Sequence, residues 1–185
     1  MKKWLALFLF LAMPYRSWAT MTIEVEGGSM TDTDTTTAVT NENNNIVVGN
    51  VMWQISEHFH MGWSYLSFYQ SQSGASKEVY QSRDTGPVLA FEVGKSVAVT
   101  AEVGYNIWAT ATYQTGVTNY TYTGSSVYGV LTASAHLGDW GRIGLGVLTY
   151  GATFTSYTNM TSKVVYNYGA TKTTSVPLLS LAISF

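Results

Sequence analysis

The chain has 185 residues, with 9 Lys and Arg against 11 Asp and Glu for a net charge of −2, and no cysteine. That balance leaves no basic face for nucleic acid, and the missing thiols exclude both disulfide staples and a lipid anchor carried on a cysteine. Charged residues make up 11% and aromatics 14%, whereas an ordinary soluble domain carries about 25% charged residues.

Residues 1–19 read as a secretory signal peptide. Lys2 and Lys3 give a positive start, residues 4–13 are an apolar run, and Ser17-Trp18-Ala19 is a small-x-small cleavage pattern. The run is too short to cross a bilayer as a helix. Lys2, Lys3 and Arg16 leave with it, so residues 20–185 keep 6 basic against 11 acidic side chains. That remainder is one domain of ordinary size. It nowhere approaches the roughly 18 consecutive apolar residues of a membrane helix.

Strand-like alternation begins at once. Residues 21–26 set Ile23 and Val25 against Glu24 and Glu26, and the polar tract 29–45 reads as a loop. Asp32 and Asp34 lack the glycine and distal glutamate of a calcium loop. A second strand, 46–56, puts Val47, Val51, Trp53 and Ile55 opposite Asn50, Gln54 and Ser56. After a turn at 57–59, the third strand (60–72) sets Met61, Trp63 and Tyr65 against Gly62 and Ser64, then blurs at Leu66 and Phe68, where a bulge is expected. A second polar loop spans 73–86.

Next comes the clearest hairpin. Leu89, Phe91 and Val93 alternate with Ala90 and Glu92, Gly94-Lys95-Ser96 turns, and one apolar face then runs from Val97 through Tyr105, Ile107, Ala109 and Ala111 to Tyr113. The other face carries Glu102, Asn106 and Trp108. A three-residue turn predicts Val93 opposite Val97 and Phe91 opposite Val99. A third loop at 115–125 leads to a strand at 126–137, with Tyr128, Thr132, Ser134 and His136 inward. Another turn follows at 138–141. The seventh strand starts with Ile143, Leu145 and Val147 outward; one bulge near Val147 then brings Leu148, Tyr150, Ala152 and Phe154 to the same face. A fourth loop, 157–173, precedes the last strand, in which Pro177 is expected near an end or irregularity because it has no N–H.

The final strand alternates Leu179, Leu181, Ile183 and Phe185 with Leu178, Ser180, Ala182 and Ser184. This tail resembles the C-terminal strand of bacterial outer-membrane β-barrels, whose terminal aromatic and alternating apolar residues serve as the assembly signal. Eight strands, joined alternately by short turns and long polar loops, imply an all-β, eight-stranded antiparallel up-and-down transmembrane β-barrel over residues 20–185. The architecture is similar to that of the small OmpA-, OmpX- and OmpW-type barrels. Trp53, Phe59 and Trp140 fall at the short-turn end with Phe185, and Tyr113, Tyr120, Tyr122 and Tyr157 at the long-loop end, as two aromatic belts.

A charge facing lipid costs several kcal/mol, so Glu24, Glu92 and Glu102 are expected inside, with Asn50, Gln54, Asn106, His136 and, near the periplasmic rim, Arg142. These groups form either a hydrogen-bonded plug or a narrow, cation-preferring path in which Glu102 sets selectivity. An eight-stranded interior is just wide enough for side chains. No metal site emerges, since His58 and His60 supply only two ligands. Ser134 and His136 share a face, but no motif matches the barrel enzymes that modify lipid A.

The sequence therefore predicts an integral outer-membrane barrel, not an enzyme, with no cofactor. Its role is structural or that of a small-solute conduit; the alternative is a surface adhesin or receptor acting through its outer loops. Its partners are outer-membrane lipid and lipopolysaccharide, together with the barrel-assembly machinery during biogenesis, and the chain is expected to be a monomer.

Overall fold

A computed structural model describes residues 20–34, 40–73, 78–161 and 165–185. The predicted signal peptide at 1–19 lies outside the described residues. The elements are β1 (Met21–Asp34), β2 (Thr40–Gln54), β3 (Phe59–Ser73), β4 (Glu78–Gly94), β5 (Val97–Thr115), β6 (Thr118–His136), β7 (Gly141–Asn159) and β8 (Val165–Ser184). Each pairs antiparallel with the next, and β8 returns to β1, closing the barrel. Closure matters because it pairs the two strands that would otherwise be open edges.

The closing seam is short, from Thr22↔Ser184 to Gly27↔Leu179, whereas β1 and β2 pair from end to end. Pro177 lies just past the end of that seam, where a continuing ladder would need donors it lacks. Tight turns join the strands at the inner end. Gly94 (φ 121°) and Gly138 (φ 83°) supply left-handed backbone there, which residues with a Cβ adopt at a cost. Val93 pairs with Val99 and Phe91 with Ala101, two residues beyond the predicted register. A slip of two leaves both faces unchanged.

On the outward face an apolar band encircles the barrel. It holds Ile143, Leu145 and Val147 on β7, Leu179, Leu181 and Ile183 on β8, and Val97 to Ile107 on β5. Beyond it the outward residues turn polar, as Thr149, Thr153 and Thr155 on β7 and Thr171, Thr173 and Ser175 on β8, while the ladder continues. The predicted loops at 29–45, 73–86, 115–125 and 157–173 are therefore mostly strand. Their polarity marks the end of the apolar band, not of pairing. Thr is a good strand residue, and cross-strand hydroxyl pairs such as Thr149–Ser175 (3.1 Å) and Thr123–Ser156 (2.6 Å) support the extension. On β7 it runs from Leu148 to Asn159, roughly 30 Å in height for strands rising about 3.4 Å per residue at a tilt near 40°.

The phase changes differ from those expected. Leu66, Phe68, Leu148, Tyr150, Ala152 and Phe154 need no bulge, because they point inward and are buried. The register shifts instead fall between Thr85 and Val88, Asn106 and Ala109, Thr123 and Gly124, and Phe154 and Ser156. At the second, Ile107 and Trp108 both face outward, and Ala109, Ala111 and Tyr113 turn in.

Candidate functional site: the barrel interior and its outer mouth

The interior is stratified from the inner end outward. At the inner mouth a cavity of about 250 Å³ is lined by Gln54, His60, Glu92, His136 and Arg142, among others. Arg142, expected as a rim cation, is buried. It donates to Glu24 Oε2 at 2.6 Å and pairs with Glu92, whose other oxygen lies 3.5 Å from His136 Nε2. Glu24 Oε1 also accepts from Ser180 at 2.5 Å. Ser134 and His136 do not join: among the described residues neither the Ser134 hydroxyl nor His136 Nε2 has a hydrogen-bond partner.

One layer further, β1 and β5 face each other across the barrel. The carboxylates of Glu24, Glu26 and Glu102 converge there, with one oxygen of each within 4.8 Å of the others. Asn50 donates to Glu102 at 2.8 Å and accepts from the Tyr128 hydroxyl at 3.0 Å. The Tyr128 ring lies on Gly104, where an added Cβ would meet ring carbons at 2.0–2.7 Å. That glycine opens the space the ring fills.

Above it Asn106 accepts from Ser64 at 3.1 Å and donates to Ser126 at 2.9 Å. Ser126 and Tyr150 each donate to Asp84 at 2.7 Å. Asp84 and Glu26 are absent from the predicted interior set. Glu26 was legible from its alternation with Glu24. Asp84 was not, because β4 is polar on both faces there (Ser82 and Asp84 against Arg83 and Thr85) and the period of two carries no contrast.

An apolar layer then closes the cross-section. Ile46, Val48, Leu66, Phe68, Leu148 and Val176 are wholly buried, and Phe68 stacks against Tyr80 and Tyr150 at centroid separations of 5.6 and 5.4 Å. The predicted cation path through the lumen would have to pass this layer. Replacing Phe68 by Ala removes the ring that both tyrosines pack on and is expected to destabilise the barrel by about 3–5 kcal/mol. Urea unfolding of the refolded protein measures this; a loss below about 1 kcal/mol would mean that the ring is not packed.

The outer mouth is a cavity of about 350 Å³ lined by Glu42, Gln70, Tyr80, Tyr113, Tyr122 and Lys172, among others. Lys172 donates to Gln70, Gln70 donates to Glu42, and the Lys172 ammonium sits 5.5 Å from the Tyr80 ring centre. Burial pushes the Lys172 ammonium below its ordinary value, and Glu42 and Glu78 oppose this. Burial, then Glu78, push the Tyr113 phenol up to about 12.

This mouth corrects one predicted belt. Tyr113, Tyr120, Tyr122 and Tyr157 do not face lipid. The register pairs Tyr113 with Tyr120 and Tyr122 with Tyr157 on the inner face, and the rings of Tyr120, Tyr122 and Tyr157 cluster at 5.7–6.5 Å. The shift at Asn106/Ala109 turns Tyr113 inward, and the one at Phe154/Ser156 does the same for Tyr157. Tyr65, Tyr105 and Trp108 are instead the exposed aromatics near the outer edge of the apolar band, and Trp108 pairs with Trp63 at 6.2 Å. At the inner edge Trp53, Phe59, Trp140 and Phe185 are exposed on the outward face. In the tail, Leu179, Leu181 and Ile183 face outward, and the Phe185 amide donates to the Met21 carbonyl at 2.9 Å.

No family model matches the chain, and no curated protein does. Among solved structures, the chain is similar to Neisserial surface protein A at a TM-score of 0.53 and 8% identity, covering 89% of this chain and 95% of that one. It is also similar to the outer-membrane protein OprG of Pseudomonas aeruginosa at a TM-score of 0.51 and 8% identity, covering 90% of this chain and 96% of that one. The likeness is one of fold: the chain has the architecture of the small eight-stranded outer-membrane β-barrels.

Proposed function

We propose that this outer-membrane barrel is a closed scaffold whose working part is the polar collar and tyrosine-lined mouth that it holds outside the lipid, where it acts as a surface-interaction protein. One observation carries this reading: the hydrogen-bonded ladder continues well past the apolar band, so the outer part is a hydrogen-bonded wall and not a set of loose loops. A channel has no need of such a wall, and the apolar layer at Phe68, Leu148 and Tyr150 argues against conduction. Tyr113, Tyr120 and Tyr122 offer amphipathic rings with little rotamer entropy to lose, a property that suits recognition surfaces. A catalytic role is not part of the reading, and the lack of a hydrogen bond between Ser134 and His136 Nε2 supports leaving it out. Lipid and lipopolysaccharide contact the band, and the protein works as a monomer that the barrel-assembly machinery inserts.

Protein refolded in detergent, with folding verified by a heat-dependent gel shift, is inserted into a planar bilayer. The expected record is silent. Cells displaying the protein are then compared with cells displaying a Tyr113→Ala, Tyr122→Ala variant for attachment to one another and to host-cell surfaces, and attachment is expected to fall while the gel shift persists. Steady single-channel steps that lose cation preference in Glu102→Gln would overturn the reading in favour of a conduit.

A further inference from the structure

We propose that Glu24, Glu26 and Glu102 form a buried site for one hard divalent cation of the calcium or manganese class, bound inside the barrel between β1 and β5. The three side chains are only 1, 1 and 2% exposed. Their nearest oxygens lie within 4.8 Å of one another, which is the span across an ion with metal–oxygen bonds of about 2.4 Å.

The charges and the unused lone pairs point the same way. Glu24 has its partners: Arg142 on one oxygen and Ser180 on the other. Among the described residues, Glu26 faces only the Thr132 hydroxyl, and Glu102 accepts from Asn50 on one oxygen while it turns the other toward Glu24. Two carboxylates thus lack a counter-charge, and a buried charge without one is costly. One divalent cation balances both. A separate group supports the site: the Thr132 hydroxyl, on β6, is 2% exposed, is directed at Glu26 and has no other hydrogen-bond partner among the described residues. It adds a neutral oxygen to three carboxylates, the all-oxygen donor set that suits calcium or manganese and not zinc or copper. Its cross-strand neighbour Thr100 has a buried hydroxyl with no hydrogen-bond partner among the described residues. Inside a closed barrel such an ion is enclosed on folding, so it should exchange slowly and contribute to stability.

The protein is unfolded in urea with chelator, then refolded in detergent either with chelator, with calcium or with terbium as a luminescent stand-in. The expected results are close to one terbium per chain after gel filtration, and a decay in water and deuterated water that reports no more than two or three bound waters. The unfolding midpoint should rise with calcium, and Glu26→Gln, Glu102→Gln should abolish both effects. If that variant does not fold, the hydration of terbium on the unaltered chain still decides. No bound ion with a calcium-indifferent midpoint, or an ion with a nearly complete water shell held by surface carboxylates, would overturn the site and leave protons as the charge balance.

Discussion

Replacing Arg142 by Met is expected to destabilise the barrel by about 3–5 kcal/mol, the range for removing one partner from a buried ion pair. The guanidinium is buried and reaches both Glu24 and Glu92. Methionine matches much of its length but leaves the Glu24 and Glu92 carboxylates without the guanidinium that bridges them. The cost lies in those orphaned charges more than in the lost bonds, because a buried pair can be about as stable as a well-packed apolar substitute. The triple variant Arg142→Met, Glu24→Gln, Glu92→Gln should therefore recover much of the loss. Equilibrium urea unfolding in lipid vesicles, followed by Trp fluorescence, measures both. A loss below about 1 kcal/mol for the single variant would mean that the pair is solvated like a surface salt bridge. That result would remove the inner stratum from the description of the lumen.

The second large effect separates the two zones of the outer face. Leu131 lies midway along the apolar part of β6 and is 59% exposed, between Ala133 and Val127 on the same face. Leu131→Arg sets a guanidinium at the bilayer midplane, where it costs about 2–4 kcal/mol. Thr112 is also exposed and outward, on the part of β5 beyond the band, and Thr112→Arg should change stability by no more than about 0.5 kcal/mol. The same chemistry on the same wall therefore has a depth-dependent cost. Refolding yield and the unfolding midpoint in vesicles of fixed thickness give the comparison. Equal penalties at the two positions would place the polar collar within lipid, and equal tolerance would remove the bilayer from the picture.

The alternation that predicted the barrel is strongest where the two faces meet different media. Val97 to Tyr105 on β5 and Leu179 to Phe185 at the tail alternate between lipid and a packed interior, so composition and period both identify them. The inward placement of Glu24, Asn50, Glu92, Glu102 and Asn106 follows from the same contrast, since lipid does not accept charge. Where both faces meet water or polar neighbours, as at Tyr80 to Asp84 or Thr118 to Ser125, the contrast vanishes and strand reads as loop. Where both faces are apolar, as at Val147–Leu148, an unbroken alternation looks like a phase change.

The sequence by itself determined the strand number, the tail, the outward face from Val97 to Tyr105 and the inward placement of Glu24, Asn50, Glu92, Glu102 and Asn106, because each is a local consequence of a two-residue period between two media. Only the tertiary structure decided the length of the strands, the register shifts and the company each buried group keeps. Extension of the strands depends on neighbours that hold the ladder beyond the apolar band, and one extra residue on β5 between Asn106 and Ala109 sends Tyr113 inward instead of outward. Glu102 meets Glu24 and Glu26 because closure sets β5 opposite β1, a distance across the barrel that no spacing along the chain records.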